Sequence, residues 1–128
     1  MKALVLRELK QPLQPEERGP LQPAPGEVVV QLAAAALNRR DYWITQGLYP
    51  DIRLPVVLGS DGAGTVVAVG QGVDERWLNR RVIINPGFDW GDDPAVQSER
   101  FTILGMPRDG TFAEQVAVPA EQLHDWPE

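Results

Sequence analysis

The stretch Leu58-Gly59-Ser60-Asp61-Gly62-Ala63-Gly64-Thr65-Val66-Val67-Ala68-Val69-Gly70 constrains this chain most, because it packs four glycines and one strand into thirteen residues. Gly59, Gly62 and Gly64 allow positive φ or a close approach of neighbouring backbone that a Cβ would obstruct. Thr65 to Val69 is β-branched and apolar, and Gly70 with Gly72 ends it. A phosphate loop or dinucleotide fingerprint runs the other way, from strand through glycines into helix. The glycines here precede a strand, and no Gly-Lys-Ser/Thr follows. The stretch therefore reads as a sharp turn feeding a buried strand, with Asp61 beside it.

The rest of the chain is punctuated like a small β domain. Twelve glycines and twelve prolines in 128 residues favour short strands and turns over long helices. Lys2–Glu8 reads as a first strand. Pro12, Pro15, Gly19 and Pro20 then break regularity, and Glu16, Glu17 and Arg18 read as a solvated loop. Glu27–Ala36 is a second strand, with Val28, Val30, Leu32, Ala34 and Ala36 on one face. Asn38 and Asp41 are both competent N-caps and Gly47 a natural stop, so the spacing predicts a two-turn helix within Asp41–Gln46. Asn79 suits the left-handed conformation. Arg81–Asn85 reads as another strand, and residues 86–108 as a long excursion whose Phe88, Trp90, Phe101, Ile103 and Leu104 fold back onto the body. Gly110–Pro119 is the last clear strand, and residues 120–128 show no element. The fold class is mainly β, a small barrel with one or two short helices.

Charge and composition narrow the function. The net charge of −6 excludes nucleic acid as the main partner, since backbone binding needs a basic face. The longest apolar run, 32–37, is too short to span a bilayer. Met1 leads directly into a β-like run, so no signal peptide is expected. There is no cysteine, which removes disulfides and thiolate metal sites and points to the cytoplasm. With one histidine, His124, remote from the glycine stretch, a zinc site of three protein ligands is not expected. His124 is expected to be exposed, and Asp89, Asp92 and Asp93 to form a solvated loop lacking the EF-hand spacing.

Several segments carry a family resemblance. Gly59-Ser60-Asp61, Gly64 and Val66 resemble the glycine signature of the medium-chain dehydrogenase/reductase superfamily, Gly-His-Glu, two residues, Gly, one residue, Val. Lys2-Ala3-Leu4, Pro25-Gly26-Glu27-Val28-Val29-Val30 and Gly110-Thr111-Phe112-Ala113-Glu114-Gln115-Val116 are similar to strands of its GroES-like first domain. The resemblance implies a partly open GroES-like barrel over 1–128 that serves as the substrate domain. It also implies that the following dinucleotide-binding domain and the returning C-terminal segment are missing, so the chain alone is expected to be inactive.

Two departures matter. Ser60 stands where zinc-dependent members have the ligand His, and Asn38 where they have the ligand Cys. Ala36-Leu37-Asn38-Arg39-Arg40-Asp41 resembles the zinc-free quinone and enoyl reductases. The four cysteines that hold a structural zinc in relatives are missing from 86–108. The resemblance thus implies reduction of a quinone or activated alkene, a small-molecule substrate, with NADP or NAD and no zinc. Asn38 would orient nicotinamide or substrate, Arg39 would lie near the pyrophosphate, and Tyr42 and Ser60 would meet substrate. Tyr49, in Gln46-Gly47-Leu48-Tyr49-Pro50, would donate a proton as a neutral phenol.

Each residue also has a plain structural role to weigh. Asn38 serves as a cap, Tyr42 and Trp43 as core filling, Tyr49 as a loop anchor, and Arg39 and Arg40 as a solvated pair. Asp41 caps the helix or holds an arginine. Two other functions stay open at this point: a zinc-type alcohol dehydrogenase relative with lost ligands, and a non-catalytic GroES-like binding or chaperone module. A domain cut from its partners would expose Tyr42, Trp43, Leu48 and Trp126, giving a route to self-association.

Overall fold

The computed structural model describes residues 1–127. Five strands form the main antiparallel sheet: β3 (Glu27–Ala36), β5 (Asp61–Val69), β6 (Arg81–Ile84), β10 (Gln115–Pro119) and β11 (Leu123–Asp125), in the order β10-β3-β5-β6-β11. A second sheet sets β1 (Lys2–Leu6) between β2 (Gln14–Glu17) and β4 (Val56–Val57). A third joins β7 (Gly87–Phe88), β8 (Thr102–Leu104) and β9 (Pro107–Arg108). The one α-helix among the described residues, α1 (Arg39–Thr45), follows β3, and 3-10 turns occupy Glu75–Trp77 and Ala120–Gln122. The mainly β class expected from the sequence is observed.

Valines explain the main core. Val28, Val30, Val66, Val82, Val116 and Val118 are all at or below 2% exposure and pack with Leu104, Ile84, Phe88 and Leu123. Burying each such side chain stabilises by about 1.5–3 kcal/mol. A second cluster, Leu6, Ile44, Val56, Leu58 and Met106, seats α1 against the β1 sheet, with Tyr49 and Phe112 packed on it. The helix is thus held by Ile44 below and by its caps above.

The glycine stretch is used differently from a simple turn. Gly59 carries the positive φ, +104°, but Gly62 and Gly64 lie inside β5, which starts at Asp61. β3 and β5 approach closely there, and the register shifts between Leu32 and Ala34. A Cβ on Gly64 would fall 2.0 Å from the Gln31 carbonyl oxygen. A second shift, between Val29 and Val30, breaks the simple alternation of β3, so that Val28, Val29 and Val30 are all buried.

Three other expectations are corrected. Gln14–Glu17 is not a loop but an edge strand paired with β1, Lys2 opposite Glu17 and Val5 opposite Gln14. An edge strand needs only β1's backbone, tolerates Pro15 and has no apolar pattern to betray it. Residues 120–125 do form elements: β11 pairs with β6, and Gln122 Nε2 donates to the carbonyls of Asn85 (2.8 Å) and Gly87 (2.7 Å), while Glu128 lies outside the described residues. Trp90 does not fold into the core; it is 43% exposed and stacks edge-on against Phe101. The first strand ends at Leu6, α1 starts at Arg39, and Ala113 touches Ala3 only by an isolated bridge before β10. Asn79 is left-handed, φ 68°. His124 is exposed.

Candidate functional site

The start of α1 is built on a reciprocal cap. Asn38 Oδ1 accepts the Arg40 amide N–H at 2.9 Å, while an Asp41 carboxylate oxygen accepts the Asn38 amide at 2.9 Å. The other Asp41 oxygen accepts the Gly59 amide at 3.2 Å, tying the helix to the glycine stretch. Asp41 is 5% exposed. Burial pushes its carboxyl above the ordinary carboxylate range, against the amides of Asn38 and Gly59 and the charge of Arg40; the nearby Asp61 charge adds to the rise. Asp41 therefore caps, and among the described residues it forms no ion pair with either arginine.

β5 brings Asp61 to the same place. Asn38 Nδ2 donates to an Asp61 carboxylate oxygen at 3.3 Å. The Asn38 amide is thus oriented from both ends, oxygen toward Arg40 and nitrogen toward Asp61. Its remaining N–H is a donor beside a concavity of about 480 Å³ lined by Leu37, Asn38, Arg39, Tyr42 and Trp43. Arg39 is exposed there. Tyr42 and Trp43 are not core residues: they are 57% and 37% exposed, their rings 5.5 Å apart.

Arg40 departs from the solvated pair. It is 8% exposed and reaches under the helix to the long excursion. Its Nη2 donates to the Met106 carbonyl at 2.6 Å, and its Nη1 to the Leu104 carbonyl and to Ser60 Oγ, both at 3.4 Å. Its guanidinium lies 4.9 Å from the centre of the Tyr49 ring. No local pattern announces this role, because both carbonyl acceptors lie more than sixty residues away in sequence. Ser60 is 2% exposed, donates its hydroxyl to the Leu104 carbonyl at 2.7 Å and does not line the concavity beside Asn38.

Tyr49 is half-buried and lines a separate cleft of about 600 Å³ with Arg40, Asp51, Arg53, Glu99 and Arg100. The structure therefore brings together Asn38, Arg39 and Tyr42, keeps Ser60 buried outside their concavity against Arg40 and Leu104, and places Tyr49 across the Arg40 side chain. The Asn38–Asp61 contact was missed from the sequence; the signal was an acid in the glycine signature, whose direction only the β5 register reveals.

These donors do not fit zinc. Asn38 offers an amide already oriented by Arg40 and Asp61, and Ser60 a buried hydroxyl that points its proton at a carbonyl. Among the described residues no group of three or more His, Cys, Asp or Glu stands close enough to hold a metal.

Comparison with known proteins agrees with this architecture. Residues 24–128 match the family described as alcohol dehydrogenase GroES-like domain. A zinc-type alcohol dehydrogenase-like protein of Schizosaccharomyces pombe is 42% identical over 113 residues, covering 87% of this chain and 33% of that protein. Acryloyl-coenzyme A reductase of Metallosphaera sedula is 42% identical over 83 residues, covering 65% and 25%. Among solved structures, an NAD-dependent alcohol dehydrogenase superposes with a TM-score of 0.88 at 40% identity, over 98% of this chain and 39% of that one. The chain spans between a quarter and two fifths of the length of these proteins.

Proposed function

The chain belongs to the alcohol dehydrogenase GroES-like family of the medium-chain dehydrogenase/reductase superfamily, and from that premise we propose that it is the substrate domain of a zinc-independent, NAD(P)H-dependent reductase of quinones or activated alkenes. The observation that carries this reading is Asn38: an amide locked by Arg40 and Asp61 in the place of the Cys ligand of zinc-dependent members, an amide not being among the ordinary zinc ligands. The name of the Metallosphaera relative, a reductase of an activated alkene, supports it. The zinc-type name of the Schizosaccharomyces relative does not transfer, since the residues present here do not fit the metal.

The residues divide the work. When bound, the nicotinamide dinucleotide supplies hydride. Arg39, exposed beside Asn38, would hold an anionic phosphate of the cofactor, which guanidinium suits. The remaining Asn38 N–H donates to a carbonyl oxygen of carboxamide or substrate. Tyr42 and Trp43 wall the concavity with flat apolar surface. Tyr49 Oη, across the Arg40 side chain in the neighbouring cleft, would give its proton to a substrate that extends from the concavity into that cleft. A dinucleotide-binding domain, absent from these 128 residues, would bind most of the cofactor, since this chain has no Gly-rich strand-to-helix turn. That domain is also the natural cover for the face around Leu37, Tyr42 and Leu48, which are 90%, 57% and 66% exposed.

The test is Tyr49→Phe in the enzyme that carries both domains, assayed for nicotinamide-dependent reduction of a saturating enone. Losing a general acid costs about 10²–10⁴-fold in turnover, with folding intact. Unchanged turnover removes Tyr49 from the mechanism, and failure of the wild-type enzyme to reduce any enone or quinone removes the reductase reading itself.

A further inference from the structure

We propose that the cleft between the loop after α1 and residues 97–107 is a binding site for a singly charged oxyanion, a carboxylate or a phosphodiester, on a ligand that lies against Tyr49. The argument starts with Arg40. A guanidinium that is 8% exposed is normally paired, because moving a charge out of water costs several kcal/mol. Every acceptor Arg40 reaches is neutral: two carbonyls, the Ser60 hydroxyl and the Tyr49 ring. Its Nε is buried with no hydrogen-bond partner. Among the described residues no carboxylate stands within ion-pair distance of it.

The cleft it lines shows the same imbalance. Arg53 and Arg100 stand on its walls, exposed and likewise outside the ion pairs of the described residues. Asp51 and Glu99 share the rim. Among the residues that line the cleft, three guanidinium groups against two carboxylates leave one positive charge, in a chain whose net charge is −6; Asp41, which feels the charge of Arg40, lies outside the lining with its two oxygens held by the amides of Asn38 and Gly59. A single anionic group balances that excess, whereas a dianion would overshoot it beside two acids. A charge behind a low-dielectric wall projects its field into the opening, and about 600 Å³ is enough for a small organic ligand. Arg53 and Arg100 would contact the anion directly, and Arg40 would hold it by charge from behind. The inference rests on the reductase reading only in making the bound molecule a substrate.

Binding is read on the 128-residue chain by NMR titration, following the Nε–H signals of Arg53 and Arg100 and the Tyr49 ring. The probes are cinnamate, methyl phenyl phosphate and neutral cinnamamide, at matched ionic strength. At least one anion is expected to bind about tenfold or more tighter than cinnamamide, the value of one charge-assisted hydrogen bond. Which anion binds tighter identifies carboxylate or phosphodiester. Arg53→Ala and Arg100→Ala, both at exposed positions, should each remove most of that preference while the rest of the spectrum is unchanged. Equal binding of cinnamamide, no binding by any probe, or a preference that survives the double variant would overturn the site. Because no turnover is measured, failure here leaves the reductase reading standing, and an inactive enzyme leaves this site standing.

Discussion

Replacing Gly64 by alanine should be among the most damaging small changes in this chain. An ideal Cβ there meets the Gln31 carbonyl oxygen at 2.0 Å, its carbon at 2.8 Å and Leu32 Cα at 2.9 Å, whereas real Cβ atoms essentially never come within 3.0 Å. All three are backbone, so no rotamer relieves the contact, and β3 and β5 must separate by about 1 Å, the gap between 3.0 and 2.0. β5 cannot simply retreat, because Gly64 also pairs with Val82 of β6. Overpacking strain costs about 1–3 kcal/mol, and two weakened ladder hydrogen bonds add about 1 kcal/mol each. The sum is about 3–5 kcal/mol. With an unfolding entropy of about 2.1 cal/mol/K per residue over 128 residues, Tm should fall by about 10–20 °C. The assay is far-UV circular dichroism melting with Gly19→Ala as control. Gly19 has nothing within 4 Å of its Cβ position and no positive φ, so its replacement should stay within about 0.5 kcal/mol of wild type. A Gly64→Ala protein melting within a few degrees of wild type would refute the close-approach argument.

Three further outcomes are expected. Burial lifts Asp41 above its unfolded value of about 3.9, so its stabilising contribution is complete below that value and is lost as pH rises through the raised native pKa; the stability of wild type over Asp41→Asn, from urea unfolding, should therefore be larger in acid than at neutrality, and a difference flat with pH counts against the buried carboxylate. Asp61→Ala frees the Asn38 amide and should lower kcat/KM of the two-domain enzyme about tenfold, with Asp61→Asn, which keeps an acceptor oxygen, recovering part of it; equal losses in both would deny Asp61 its positioning role. Elemental analysis of protein purified without chelator should find zinc far below stoichiometry, and a full complement would defeat the ligand argument.

Local chemistry made several features legible before any coordinates. Asn38 and Asp41 announce a helix start because a cap needs only neighbours within one turn; Asn38 is the N-cap, and Asp41, inside the first turn rather than at its start, completes the cap by accepting the Asn38 amide. Val28 to Val30 and Val66 declare buried strands through side-chain type alone. Asn79 takes the left-handed conformation its amide tolerates. Gly59, Gly62 and Gly64 mark a place where backbone is crowded, although the sequence could not say what crowds it: Thr111 and Phe112 at Gly59, Thr111 and Leu32 at Gly62, and β3 itself at Gly64.

What tertiary structure decided alone is the meaning of the charges. Arg39 and Arg40 are identical neighbours in sequence, yet one is exposed and the other 8% exposed beneath α1. Successive helical residues point about 100° apart, so which arginine faces inward depends on where the helix docks. Ile44 and the second core cluster settle that docking. The same holds for β2 and β11, whose pairing depends on the backbones of β1 and β6 rather than on an apolar pattern of their own. It holds for Asp61 as well: only the β3–β5 register, with its shift after Leu32, places that carboxylate against Asn38. Residue type determined the valine-rich strands, the Asn38 cap and the absence of thiolate ligands; long-range register determined which polar groups meet, because hydrogen bonds and ion pairs are read in ångströms and not in sequence separation.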